Sequence, residues 1–129
     1  MKEIRTLRTS VAEIKLLKED FIRIEYSPNI IIDLPELEEN LQAYKKLLGN
    51  DRFYLLSVIP PGVTVSEKAR NYWTKPERSK FKIAEAFVIN KLSHALLANF
   101  VTTFQPPRHE LKFFNSEKKA LAWLDTKMK

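Results

Sequence analysis

A chain of 129 residues with 44% hydrophobic and 29% charged content has the make-up of one globular domain, long enough to bury roughly two-thirds of its unfolded surface. It contains no cysteine, which excludes disulfides and thiolate chemistry and makes a reducing cytoplasm its simplest home. The opening MKEIRTLRTS has no apolar core of the signal-peptide kind, and no apolar run approaches the ~20 residues that span a bilayer.

In chain order, residues 1–10 alternate basic and apolar residues without a clear period and read as a flexible arm or a short edge strand. Val11–Leu16 and Phe21–Tyr26 both alternate with period two across Leu17–Asp20, which predicts an antiparallel hairpin with one wet face. Ser27–Asn29 breaks the second strand, and Ile30–Ile32 is a short apolar link. Asp33-Leu-Pro-Glu36 has the chemistry of a helix start, with a capping aspartate, an early proline and a carboxylate at the positive end of the dipole. Leu34, Leu37, Leu41, Tyr44 and Leu48 are predicted to form its apolar face, and Gly49-Asn50 its end.

Phe53–Ile59 is almost continuously apolar and too short for a typical helix, so it reads as a central strand covered on both faces. Pro60, Pro61 and Gly62 end it. Thr64-Val-Ser-Glu67 has capping-box spacing, with Thr64 as cap and Glu67 reaching back, and Ser66 as a competing cap. The helix that follows, from about 65 to 74, places Ala69, Tyr72 and Trp73 on one face, and a second short helix or a kink is expected around Pro76. Ile83–Ile89 is another buried strand, followed by a turn at Asn90–Ser93, a broadly apolar helix over Ser93–Phe104, and a strand at Glu110–Phe114 nearer an edge. Asn115-Ser-Glu117 opens a last helix with Ala120, Leu121, Leu124 and Met128 inward and Trp123 beside them. The order β-β-α-β-α-β-α-β-α, about four helices in all, predicts an α/β domain over 1–129 with a mixed, mostly parallel sheet and right-handed crossovers.

This order resembles the SpoIIAA-like fold of STAS domains and of the related Sec14-like superfamily, and more narrowly a bacterial family of small STAS/Sec14-type proteins of unassigned function. The residues that carry the resemblance are FYLLSVI, VTVSEKARNYW, IAEAFVIN with LSHALLANF, and FFNSEKKALAWL, which together span nearly the whole chain from about residue 11. In STAS anti-sigma-factor antagonists a serine at the start of the helix after the central strand accepts a phosphate. By position that role falls here on Ser66 or Thr64. The Asp-Ser-Ser-Gly type of motif is replaced by Thr64-Val-Ser-Glu67, and plain helix capping accounts for both hydroxyls.

Chemistry of other kinds finds little support. His94 and His109 have no co-ligand at close spacing, so they read as structural or surface residues rather than metal ligands. Two glycines in the chain exclude a glycine-rich phosphate loop. The net charge of +6 is concentrated in Lys68, Arg70, Lys75, Arg78, Lys80 and Lys82, which read together as a solvated face rather than a nucleic-acid surface. No cofactor or catalytic residue is implied. The expectation is a non-enzymatic, cytoplasmic interaction module with a protein partner or a second copy of itself, docking through Thr64, Ser66, Glu67 and Arg70. The alternative is a Sec14-like binder of a small apolar, anionic or lipid ligand, with Pro61, Gly62, Asn90 and Ser93 in loops at the carboxyl ends of the strands, where open α/β sheets take ligands.

Overall fold

A computed structural model describes residues 5–73, 75, 80–89 and 109–128. Along the chain the elements are β1 (Arg5–Arg8), β2 (Ala12–Lys18), β3 (Phe21–Tyr26), β4 (Ile31–Ile32), α1 (Leu34–Leu48), β5 (Phe53–Val58), β6 (Thr64–Val65), α2 (Glu67–Trp73), β7 (Lys82–Val88), β8 (Glu110–Phe114) and α3 (Glu117–Met128). Six strands form one sheet in the order β1-β2-β3-β5-β7-β8, and β4 pairs with β6 in a separate two-stranded ribbon. The pairs β1–β2 and β2–β3 are antiparallel, whereas β3–β5, β5–β7 and β7–β8 are parallel. The architecture is therefore the mixed α/β sheet with an opening hairpin at one side. Three helices fall among the described residues, and the segment read as a helix over Ser93–Phe104 lies outside them.

Alternation assigns the two faces of the sheet. Phe53, Leu55 and Ile59 point with Ile22, Ile24 and Phe87 into the core beneath α1 and α2. Leu56 points the other way with Phe21, Ala84 and Ala86, against Ala120 and Leu124 of α3. β5 is covered on both sides, which its near-continuous apolar sequence requires. The basic edge strand β1 carries exposed Arg5 and Arg8, charges that discourage edge-to-edge pairing.

α1 begins as its sequence dictates. Asp33 accepts from the Leu34 N–H at 2.8 Å while its own N–H donates to Glu36 at 2.7 Å, completing a capping box. Its buried face is Leu37, Asn40, Ala43, Tyr44 and Leu47, rotated from the expected stripe, so that Leu34 is exposed. The rotation follows from Asn40, whose amide donates to the Tyr26 hydroxyl at 3.1 Å inside the core. α3 likewise buries only Ala120 and Leu124 and leaves Leu121 exposed. It is fastened at both ends: Arg23 on β3 grips Glu117 through two hydrogen bonds of 3.0 and 2.9 Å, and the Tyr54 hydroxyl donates to the Lys127 carbonyl at 2.9 Å.

Candidate functional site

Beyond the carboxyl ends of β3 and β5 the chain does not turn directly into helix. Residues 27–33 and 59–66 first run side by side, joined by Asn29 N–H to Pro61 O at 3.3 Å, Thr64 N–H to Ile30 O at 2.9 Å and Ser66 N–H to Ile32 O at 2.9 Å. Two left-handed residues shape this path, Asn29 with φ 57° and Gly62 with φ 82°. A Cβ at Gly62 would run into the Asn29 side chain, so glycine is needed there both for its dihedral and for the close approach. In the resulting ribbon Ile31 pairs with Thr64 and Ile32 with Val65. Ile32 and Val65 point into the core, and the pleat turns Ile31 and Thr64 outward. Ile31 is 68% exposed, and Leu34, the first residue of α1, 38%.

The ribbon delivers two helix N-termini to the same place. The Ser66 hydroxyl donates to Asp33 Oδ1 at 2.7 Å and accepts from the Ala69 N–H at 3.1 Å. One hydroxyl thus caps α2 and ties it to the cap of α1. The Asp33 carboxyl is held below its ordinary range, first by the Ser66 hydroxyl and then by the Leu34 N–H. A fixed carboxylate at two positive helix ends is electrostatically favoured.

The sequence-predicted residues fall as follows. Thr64 is not the cap of α2 but an exposed residue of β6, because the ribbon carries the chain two residues further before the helix begins. Ser66 is the cap, and Glu67 is the exposed first residue of α2. Arg70 is half-buried with its Nε enclosed and without a hydrogen-bond partner among the described residues. Pro61 and Gly62 sit exposed at the ribbon's turn, next to Thr64 and Ser66. Asn90 and Ser93 lie outside the described residues.

One constellation escaped the sequence reading. Lys82, assigned there to a solvated basic face, is 2% exposed, and Glu85 is fully buried. A bulge explains how they meet. Phe53 pairs with Lys82 and Tyr54 with Ala84, so Ile83 is an extra residue and positions three apart share the face beneath α1 and α2. Lys82 Nζ donates to Glu85 Oε1 at 3.1 Å, and His109 Nε2, at the start of β8, lies 2.9 Å from the same oxygen. A carboxylate only accepts, so that ring nitrogen carries the proton. Burial works most strongly against the Glu85 charge, but the Lys82 ammonium and the His109 hydrogen bond outweigh it and hold the carboxyl at about 2. The available signal was Glu85 itself, a lone charge between Ala84 and Ala86 in an otherwise apolar strand. His109, 24 residues away, had no local signal at all.

A mixed, mostly parallel sheet with twin helix starts at its carboxyl side defines a module of the α/β class. The chain belongs to the DUF7793 family, described as a domain of unknown function, whose match covers residues 15–128. Among solved structures it is similar to an uncharacterized protein of the DUF3478 family with a SpoIIAA-like fold from Shewanella loihica PV-4. That likeness has 16% identity and a TM-score of 0.49, and it covers 95% of this chain and 92% of the other. The fold described above stands on this chain's own strand order and pairing. No curated protein matches the chain. No helix among the described residues is long and apolar enough to cross a membrane.

Proposed function

We propose that this domain is a non-catalytic, STAS-like interaction module of the cytoplasm, which docks a protein partner on the β4–β6 ribbon and the starts of α1 and α2. The observation that carries this reading is Ile31, a large aliphatic side chain 68% exposed on a backbone that two left-handed residues and the Ser66–Asp33 bond hold in place. Burying such a side chain on a partner is worth about 1.5–3 kcal/mol, and a fixed backbone keeps the ordering cost low. The partner's chemistry follows from the surroundings. Although the chain is basic overall, the starts of α1 and α2 carry Asp33, Glu36, Glu38 and Glu67 against Lys68 and Arg70. The complementary surface is an apolar side chain within a basic patch on another protein. Thr64, exposed beside Ile31, is the better-placed phosphoacceptor, since the Ser66 hydroxyl is already engaged twice.

A photo-crosslinking amino acid at position 64, introduced in the host cell, tests this reading. An adduct to a basic protein that disappears with Ile31→Lys but persists with Leu121→Lys on α3 is the expected result. A homodimer adduct, confirmed by sedimentation, would replace the foreign partner by a second copy. Adducts indifferent to Ile31→Lys, or none, would overturn the docking surface.

A further inference from the structure

Glu85 is an awkward residue for a sheet interior unless something uses it. A buried ion pair such as Lys82–Glu85 seldom stabilises a fold more than apolar residues of the same size would. Its geometry is also uneven. Lys82 Nζ and His109 Nε2 both approach Oε1, while Oε2 is enclosed with no hydrogen-bond partner among the described residues. Two donors serving a purely structural carboxylate would be better placed one on each oxygen.

A second enclosed group stands close to it. Ser57 of β5 is fully buried and its Oγ likewise has no partner among the described residues. The register pairs Leu55 with Glu85 and Ser57 with Phe87. Alternation puts Ser57 on the same face as Leu55 and Phe87, hence on the face of Glu85. The two side chains start one strand apart, about 4.8 Å, and two residues apart along the strands, about 6.6 Å. Ser57 lies on the carboxyl-end side of Glu85, the side on which open α/β sheets take ligands. Leaving both groups unmatched is costly, since each buried polar atom without a partner forfeits the solvation that it had in the unfolded chain.

We propose that Glu85 Oε2 and Ser57 Oγ form a binding site for a hydroxyl group of a small neutral polyol, on the sheet face that Leu55 and Phe87 share. A hydroxyl matches both groups, because it donates to the carboxylate oxygen and accepts from the serine hydroxyl. A cation does not, because Lys82 already balances the charge of Glu85 and a further positive charge would be buried uncompensated. An anion is repelled by the carboxylate. The site lies apart from the exposed ribbon around Ile31 and does not depend on the docking function proposed there.

Water carries the same donor and acceptor chemistry, so the experiment separates the two. Amide chemical shifts of the protein are titrated with glycerol, erythritol and xylitol, for the wild type and for Ser57→Ala, which removes only a buried hydroxyl and is checked for folding by its thermal melt. Saturable shifts at Ser57, Glu85 and Phe87 with at least one polyol, weakened about tenfold by Ser57→Ala, are expected. Shifts that do not saturate, that are equal in the variant, or that are absent with all three polyols overturn the site. In the last case, a single slowly exchanging water seen at Glu85 by water–amide cross-relaxation would identify the occupant as solvent.

Discussion

Replacing Lys82 with methionine keeps the stem length and removes the ammonium, leaving Glu85 buried with only His109 beside it. In the intact protein the Glu85 carboxyl is held at about 2, well below the ordinary glutamate value of 4.5. That difference corresponds to roughly 3 kcal/mol of stability, at about 1.4 kcal/mol per unit. Breaking one side of a buried pair typically costs about 3–5 kcal/mol, which sets the scale for losing Lys82. The sign with pH is specific. The depressed carboxyl of the wild type contributes stability that is fully present above the unfolded value and is lost as pH falls through about 2. In Lys82→Met, burial is the dominant influence and pushes the carboxyl up, so the variant recovers stability on acidification as Glu85 takes a proton. Urea unfolding of both proteins from pH 7 to pH 3 is the assay, with m-values compared to confirm that the same surface unfolds. The expected penalty is about 3 kcal/mol at pH 7 and shrinks steadily as pH falls. A penalty below about 1 kcal/mol at pH 7, or one independent of pH, would refute the account of Glu85 as a buried, paired carboxylate.

Three further outcomes follow from other contacts. Gly62→Ala should lower stability by about 1–3 kcal/mol, because it strains a positive φ and collides with Asn29, whereas Gly49→Ala, at φ 63° with open space around it, should cost about 1 kcal/mol; thermal melts that rank the two equally would contradict the close approach. Glu117→Gln should destabilise by about 1 kcal/mol after allowance for its partial exposure and speed amide exchange in α3. Arg23 lowers the Glu117 carboxyl, so that contribution is present above the unfolded value, fades as pH falls through the lowered one, and should be absent from the acid limb of the variant's urea series. Ser66→Ala should cost about 1 kcal/mol through the lost cap, but Ser66→Asp, ordinarily an equal cap, should cost more because it sets a second carboxylate against Asp33. Equal stability of Ser66→Asp and the wild type at pH 7 would show that the two helix starts are not tied together.

Legibility in the sequence tracks how local the physics is. The strand Phe53–Val58, the hairpin of β2 and β3 and the start of α1 were readable because pattern and capping act within a few residues. The cap of α2 was left between Thr64 and Ser66, since which of them caps depends on β4, more than thirty residues upstream, pairing with β6. The face of α1 was rotated by Asn40, whose burial only makes sense once the Tyr26 hydroxyl is beneath it. The exposure of Ile31 belongs to the same class: the triplet Ile30–Ile32 reads only as a short apolar link, and the pairing with Thr64 is what shows that its middle member is turned out. For Lys82, period two gives the wrong face, and the extra residue Ile83 that corrects it has no mark in the chain.

The grip of Arg23 on Glu117 spans 94 residues of chain. During synthesis, β3 emerges long before the helix that will cover its outer neighbours, and Phe21, Leu56, Ala84 and Ala86 share that uncovered face until residues 117–128 arrive. Ribosomes add about 5–20 residues per second, so about 5–20 s separate the synthesis of Arg23 from that of Glu117. Once β5 and β7 have joined β3, this sheet face carries apolar Phe21, Leu56, Ala84 and Ala86 beside the charged Glu13, Lys15, Arg23 and Glu25, and it stays open until α3 docks. Docking of α3, with Ala120 and Leu124, is thus the step that closes this face.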